Sequence, residues 1–486
     1  MQTKHKSIIM VAIFIATFMT SIETTIITTA MPTIVSDLHG LALQSWIFTI
    51  YLLTTSVTTP IYGKLSDQIG RKPIFLTGIA LFALGSLLSG LSPNMIILTA
   101  ARFIQGLGAG AVLPITNTII ADLFEFEKRS TGLAFNNTAW GISALAGPVV
   151  GGFIVDKLSW HWVFFINVPL GVIVFIIIAT MYTEKLNSNI KHINIDYIGI
   201  VTLSLAILSL LFIFQDLQNS SIKMFLIIIL FLVFILSTIM FIYREKKTND
   251  PLINLTIFKN RTFSAQIATA FLLSGAQFGF QIYFPTWLQS IYRAPASLAG
   301  LVVSPSPIMW LVASFFVGSL VKRLAPKYIN LIFVSIMALG FVVILRTSVD
   351  SKMILFYVIS GISGVCLGTV ITTNTVVSQQ VIDQSQLGTA SSMLTLGRTM
   401  GQTIMTGIYG LVFNYALDKG IQNKSGVSQT VLNKFIDNSA QIAASTRHAL
   451  NQIMLNAQHQ VFYIVIFVLI IALVINVFDN QKTKLI

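Results

Sequence analysis

The chain has 486 residues, of which 55% are hydrophobic and only 10% charged. Soluble domains carry about 25% charged residues, so this composition excludes a soluble globular protein and demands many membrane-spanning helices. The net charge of +13 does not mark a nucleic-acid binder, because the basic residues fall in short gaps between apolar runs, with no basic helix and no basic patch interleaved with aromatics. The single cysteine, Cys366, excludes an intramolecular disulfide.

A bilayer-spanning helix needs about 20 mostly apolar residues. Fourteen windows qualify, at 8–31, 46–66, 74–92, 95–122, 132–155, 161–182, 196–215, 222–243, 263–290, 298–321, 329–347, 353–378, 388–416 and 460–479. The first follows Lys4 and Lys6 but is long, contains Glu23 and lacks a small-x-small cleavage site, so it reads as a retained helix rather than a leader. With the N-terminus inside, the inner gaps hold about 19 Lys and Arg and the short outer gaps about 5. The positive-inside rule then places both termini in the cytoplasm.

An internal repeat organises these helices. Ile115-Thr-Asn-Thr-Ile-Ile120 recurs as Thr372-Thr-Asn-Thr-Val-Val377, Gly63 to Lys72 has a degraded echo at Gly318 to Lys327, and Gly132 matches Gly388. All three share an offset of about 256 residues, which exceeds half the chain because two extra helices lie between the halves. The expected architecture is all-α and polytopic. A six-helix bundle occupies 1–183, a two-helix insertion and cytoplasmic linker 184–262, and a second six-helix bundle 263–486. Such paired bundles provide alternating access in secondary transporters. A long polar outer loop is expected at about 418–459, with Leu432, Phe435, Ile436, Leu450, Ile453 and Met454 at helical spacing. It is either a solvated linker or a short helical hairpin over the outer mouth.

One arginine and one acid inside apolar helices stand out, Arg102 and Glu23. Arg102 in the fourth window costs roughly 2.5–3.5 kcal/mol on insertion scales and needs a partner. Glu23 in the first window is the acid available. At about 1.5 Å per residue, both sit roughly 10–14 Å below the outer surface. The repeat puts Gly279 and Ile359 at the equivalent places in the second half. A purely architectural bridge, the alternative reading, has no reason to appear in one half only. The expected role is a proton switch. With Arg102 close, Glu23 is ionised and paired; once the pair loosens and faces a more acidic outside, Glu23 takes a proton.

Three motifs carry a resemblance. Gly63-x-Leu-x-Asp67-x-x-Gly70-Arg71-Lys72 sits in the second inner turn, Arg102-x-x-Gln-Gly106 in the fourth helix, and Gly147-Pro148-x-x-Gly151-Gly152 in the fifth. The chain resembles the major facilitator superfamily, and the third motif is characteristic of its antiporters. Ile22-Glu-Thr-Thr-Ile-Ile-Thr-Thr-Ala-Met-Pro32 and Trp160-His-Trp-Val-Phe-Phe-Ile-Asn-Val-Pro169 are similar to the fourteen-helix, quaternary-ammonium-exporter-like drug:proton antiporters. The resemblance spans essentially the whole chain and is stronger in the first half. It implies that Gly63, Asp67, Gly70 and Arg71 form a cytoplasmic gate. Asp67 would cap the helix beginning near Gly388, and Arg71 would pair with Asp122 or Glu125. It implies packing of the Gly147 face, for which Gly397 and Gly401 are a candidate complement. Two departures stand out. Aspartate is usual at the position of Glu23, and the windows 298–321 and 388–416 lack the acids found in exporters of dications.

Substrate contacts are expected from polar and aromatic residues inside helices: Trp46, Tyr51, Asn136, Asn137, Trp140, Gln277, Phe280, Gln281, Trp310 and Asn374. Aromatic faces with one carboxylate suit lipophilic cations. No HExxH, GxSxG or nucleotide-binding loop is present, so no enzyme, catalytic residue, metal or cofactor is expected. The expected function is proton-driven export of small lipophilic drugs and dyes across the plasma membrane by a monomer, without nucleic acid. The alternative is a narrow-substrate exporter of a metabolite, lipid precursor or siderophore on the same fold.

Overall fold

The computed structural model describes residues 3–38, 44–184, 196–216, 224–248, 251–253, 255–292, 302–422 and 444–479. Among these residues the regular structure is helical throughout. The helices are α1 (Thr3–Leu38), α2 (Gln44–Ile69), α3 (Arg71–Gly90), α4 (Met95–Leu123), α5 (Phe126–Lys157), α6 (Trp162–Phe165), α7 (Asn167–Met181), α8 (Tyr197–Asp216) and α9 (Met224–Lys247). Then follow α10 (Arg261–Tyr292), α11 (Pro305–Arg323), α12 (Pro326–Ile344), α13 (Met353–Gln380), α14 (Leu387–Gln422) and α15 (Ala444–Val477). The window at 161–182 is thus two pieces, α6 and α7, meeting at Ile166. Taken as one span, they are among ten described spans long and apolar enough to cross a membrane.

Four more helices, α2, α5, α10 and α14, run 26 to 36 residues with more polar sequences. In α2 the polar groups are threonines that satisfy themselves. Thr55, Thr58 and Thr59 each donate to the carbonyl four residues back, at 2.7–2.8 Å. This back-bonding removes most of the cost of a hydroxyl in an apolar setting.

Helix ends follow local chemistry. Asn94 caps α4 by accepting from the Ile97 N–H at 2.9 Å, meeting one of the donors a helix start leaves open. Between α2 and α3 the chain turns at Gly70 with φ 107°, a conformation that disfavours any residue with a Cβ. Pro305 and Pro326 stand in the first turns of α11 and α12, where the missing N–H costs nothing.

By contacts the chain divides into two compact units. One comprises Met1–Ser209, Leu232–Ser264 and Thr375–Leu396; the other comprises Leu210–Phe231, Ala265–Asn374 and Gly397–Ile486. In the first unit α4 lies against α2 and α3 along glycine seams. A Cβ at Gly110 would meet Thr58 Oγ1 at 2.0 Å, and one at Gly85 would meet the Gln105 backbone at 2.3 Å. Small residues replace large ones here because membrane helices associate by close packing rather than by the hydrophobic effect. Two apolar cores form along α1 and α4, one around Ile13, Phe75 and Ile115, the other around Ile26, Leu98 and Phe164.

In the second unit a Cβ at Gly401 would meet the Phe271 carbonyl oxygen at 2.0 Å, joining α14 to α10, and one at Gly368 would meet Trp310 O at 2.4 Å, joining α13 to α11. Phe280, Phe284, Phe341 and Phe462 stack in its core at centroid distances of 4.7–6.4 Å. A Cβ at Gly407 would meet Phe214, so the inserted α8 packs on α14.

Two expectations need correction. The expected outer loop at 418–459 is largely helix at both ends. α14 runs to Gln422 and α15 begins at Ala444, and Leu450, Ile453 and Met454 are buried on α15. Their helical spacing belongs to the last spanning helix, extended outward; Leu432, Phe435 and Ile436 lie outside the described residues. Gly147 of α5 and the glycines of α14 press on helices of their own units instead of on each other. A Cβ at Gly147 would meet Thr25 Oγ1 of α1 at 2.0 Å, while Gly397 and Gly401 press on Ile267 and Phe271 of α10.

Gly401→Ala should therefore overpack a backbone contact and cost about 1–3 kcal/mol. Gly152→Ala, where a Cβ would meet nothing within 4 Å, should stay within about 0.5 kcal/mol of the parent. Thermal unfolding of the purified protein in detergent checks both, and equal midpoints for the two variants would mean that the α10–α14 seam is not tight.

Candidate functional site

The site grows from Arg102, about two turns into α4 and fully buried. A guanidinium there must meet its donors locally, and the helices around it supply acceptors. Arg102 Nη1 lies 2.5 Å from Glu23 Oε1 on α1 and 2.5 Å from Gln105 Oε1 one turn along its own helix. Its Nε donates to the Ile47 carbonyl of α2 at 3.3 Å, and its Cζ lies 4.2 Å from the centre of the Tyr51 ring. Cation–π contact of this kind stabilises a desolvated arginine by about 2 kcal/mol.

The carboxylate is held as closely. Glu23 is fully buried, and its Oε2 accepts from Asn167 Nδ2 at 2.8 Å. Asn167 also reaches Ser86 Oγ at 3.1 Å; Gln105 Nε2 donates to the same hydroxyl at 3.2 Å, and Ser86 donates in turn to the Phe164 carbonyl. One connected polar cluster thus draws on α1, α2, α3, α4, α6 and α7. Arg102 Nη2 and Asn167 Oδ1 remain without a described partner. The cluster lies where the two apolar cores of this unit meet: Met19 belongs to one and Ile22 to the other. The second unit could not hold a copy. At Gly279, the repeat equivalent of Glu23, a Cβ would meet the Tyr409 ring at 2.7 Å.

The gate residues also come together. Asp67, at the end of α2, accepts from the Gly388 N–H at 2.7 Å, the Thr389 N–H at 2.8 Å and the Thr389 hydroxyl at 2.8 Å. It caps the start of α14, where open N–H groups and the helix dipole favour an anion. Gly63 is required by this approach, since a Cβ there would meet Ser392 Oγ at 2.2 Å and Gly388 O at 2.8 Å. Arg71 lies 3.4 Å from Asp122 and 3.2 Å from Glu184. Glu184 also accepts from the backbone N–H groups of Arg71 and Lys72 at 2.9 and 3.1 Å, capping α3. Tyr182 donates to Asp122; burial, with Asp122 and Glu184 beside it, pushes its hydroxyl up, so it remains a donor. Glu125, the other partner expected for Arg71, is exposed at the start of α5.

The remaining expected residues scatter. Tyr51 lies under Arg102 rather than open to a ligand. Phe280 is enclosed in the aromatic core. Asn374 is enclosed with Asn330, Gln266 and Asn476 in a buried amide cluster, with Asn330 Nδ2 2.9–3.2 Å from three amide oxygens. Gln277 is buried and donates to Ser306 Oγ at 2.9 Å. Asn136 is buried as well, while Trp46, Asn137, Gln281 and Trp310 are half-buried and Trp140 is exposed. Gly151 is buried and Gly152 half-buried; Pro148 is helical and its side chain is outside the description. No group of three or more metal-ligating side chains occurs among the described residues.

Sequence reading missed Asn167, Gln105, Ser86 and Glu184. Asn167 and Gln105 lie inside motifs already singled out, and only their spacing from Arg102 in space reveals their use. It also missed Arg398 on α14, although the reasoning that found Arg102, a cation far inside an apolar helix, applies to it equally.

Removing one member of a buried pair strands the other, at about 3–5 kcal/mol. Arg102→Met should show that loss, and adding Glu23→Gln should recover part of it. Denaturation of the two single variants and the double variant measures the coupling; additive losses would mean the two groups do not interact.

Comparison with known proteins adds the family. Residues 13–406 match the model for the Major Facilitator Superfamily. The chain is 34% identical over 389 residues to "Multidrug resistance protein 3" of Bacillus subtilis (strain 168), covering 79% of this chain and 75% of that one. It is 32% identical over 386 residues to "Multidrug transporter protein MdtP" of the same organism, covering 79% and 71%. It is 29% identical over 420 residues to "Multidrug efflux pump SdrM" of Staphylococcus aureus (strain N315), covering 86% and 91%. Among solved structures, the proton:xylose symporter XylE aligns over 100% of this chain and 98% of its own with TM-score 0.65 at 12% identity, a likeness of fold. With its multi-pass helices and paired polar motifs, the chain is a membrane transporter, not an enzyme, and belongs to the Major Facilitator Superfamily.

Proposed function

We propose that this transporter is a proton-coupled multidrug efflux antiporter of the plasma membrane, with both termini cytoplasmic, working as a monomer. Its cargo is lipophilic cationic, zwitterionic or neutral drugs and dyes. The observation that carries the reading is the Glu23–Arg102 pair, fully buried and held by Asn167, Gln105 and Tyr51. A buried pair is weak evidence of stabilisation, since replacing it with apolar residues is often neutral or better. A membrane helix that keeps one marks an ion or proton pathway. The relatives named as multidrug transporters and efflux pumps support the cargo.

In this cycle Glu23 exchanges partners. Ionised, it is held by Arg102 and Asn167. Protonated from the outside, it loses the charge that Arg102 answers, and the guanidinium falls back on Gln105, the Ile47 carbonyl and the Tyr51 ring. The proton is delivered inside when the bundles rock and the pair re-forms. Each pH unit contributes about 1.4 kcal/mol, and each 100 mV about 2.3 kcal/mol per net charge moved. One acid implies one proton per cycle. Exchange for a monocation is then electroneutral, and exchange for a neutral drug moves one charge. The Asp67 cap stabilises one end state by about 0.3–1 kcal/mol, up to about 2 where partly buried, and breaks when the cytoplasmic side opens.

Ethidium transport in proteoliposomes under an imposed proton gradient tests the reading. Wild type should move dye with the gradient, and Glu23→Gln should abolish coupled movement while dye binding persists. Equal transport in both would make the pair architectural; transport confined to one metabolite would favour a narrow-substrate exporter.

Asp67→Ala should slow turnover about tenfold at unchanged dye affinity, because it removes a cap worth roughly 1–2 kcal/mol to one end state without touching the cargo. Initial rates and equilibrium binding on the same preparation separate the two quantities. A matching loss of affinity would place Asp67 at the ligand instead.

A further inference from the structure

Arg398 is the unexplained charge. It lies 11 residues into α14, about 16 Å along the helix, a length about half that of a hydrocarbon core about 30 Å thick. The sequences of α10, α11, α12, α13 and α15 contain no Asp or Glu, and the one acid of α14 is Asp418, twenty residues and about 30 Å farther on. Among the described residues no carboxylate pairs with Arg398. The repeat places Ile142 at the equivalent position of the first half, where the buried arginine, Arg102, already has Glu23.

The second observation is the neighbour. The Arg398 guanidinium carbon lies 5.5 Å from the centre of the Trp310 ring on α11. Arg398 Nε and Trp310 Nε1 are both buried, and neither has a hydrogen-bond partner among the described residues. Each is a pure donor, so neither can satisfy the other. A cation and two orphan donors side by side lack one thing, an acceptor carrying negative charge. A guanidinium meets a carboxylate through two parallel N–H bonds, and the indole presents an aromatic face beside them.

We propose that Arg398 and Trp310 form a carboxylate-binding subsite for aromatic amphiphiles, zwitterions included. The carboxylate pairs with the guanidinium, the indole N–H donates the further bond, and the aromatic body lies against the indole face. The proposal rests on the reading of this chain as a drug exporter and narrows its cargo: the second unit favours molecules that carry an acid group over those that are cationic throughout.

The test uses rhodamine B, which has a free carboxylate, and its ethyl ester, which keeps the ring system and loses the acid. Fluorescence anisotropy with the full-length protein in detergent gives both affinities. Arg398→Gln should weaken rhodamine B about tenfold or more and leave the ester within about twofold. Arg398→Lys should restore part of the loss, and Trp310→Phe, which keeps the face and removes the N–H, should weaken rhodamine B about threefold and spare the ester. Undiminished ester binding also shows that each variant is folded. An equal loss for both dyes, no loss for either, or no binding of either dye to wild type would overturn the subsite. The same dyes in proteoliposomes separate this idea from the one beneath it. A carboxylate preference in binding without gradient-driven transport sinks the exporter and leaves the subsite; gradient-driven transport of both dyes with no dependence on Arg398 sinks the subsite and leaves the exporter.

Discussion

The structure of the first unit depends on one electrostatic constraint, a guanidinium and a carboxylate that are both withdrawn from solvent. Neither is tolerable alone in an apolar bundle, and their pairing forces six helices to supply acceptors and donors at one level. Gln105 must follow Arg102 by one turn, Asn167 must open α7 beside Glu23, and Ser86 must sit between them. Tyr51 closes the remaining side with its ring. The apolar clusters on either side exclude water, which strengthens every contact inside and makes an unmatched charge costly.

Close packing is the second constraint and serves the first. The side chains of the cluster meet because the helix backbones approach along glycine seams. Gly85 admits the Gln105 backbone to α3, and Gly106 admits Tyr51 and Thr54 of α2. The same device builds the second unit along Gly275, Gly279 and Gly401, and there it has the opposite consequence. Tyr409 occupies the space that a side chain at position 279 would need. The repeat therefore preserves helix packing and abandons the ion pair. Among the described residues, the buried arginine of the first unit meets a carboxylate and Arg398 of the second meets the Trp310 ring instead.

Much of the fold was legible because its signal is local. Apolar windows about 20 residues long and basic gaps between them depend only on neighbouring residues, and the repeat at Asn117 and Asn374 is a comparison of strings. Glu23 and Arg102 were legible for a similar reason: each violates the composition of its own helix. Residues that obey their surroundings hid well. Asn167 and Gln105 look like ordinary polar residues in a motif, and Glu184 like one more charge at a helix exit. Phe280 and Asn374 were expected at a ligand surface because helical position alone does not say which face is turned inward; both proved to be core. Leu450, Ile453 and Met454 showed helical spacing and were placed in a loop because polar neighbours masked the outward extension of α15.

What the sequence by itself determined, then, is the helices, their repeat and the two charges of the pair, since membrane burial taxes each residue according to its own chemistry, whatever its neighbours in space. Only the tertiary structure decided which groups meet those charges. It put Asn167 rather than a second acid beside Glu23, and Gln105 and the Tyr51 ring beside Arg102. It also left Arg398 Nε and Trp310 Nε1 without acceptors among the described residues. Hydrogen-bond partners are chosen by distance and direction across packed helices, and no local pattern of residues encodes either.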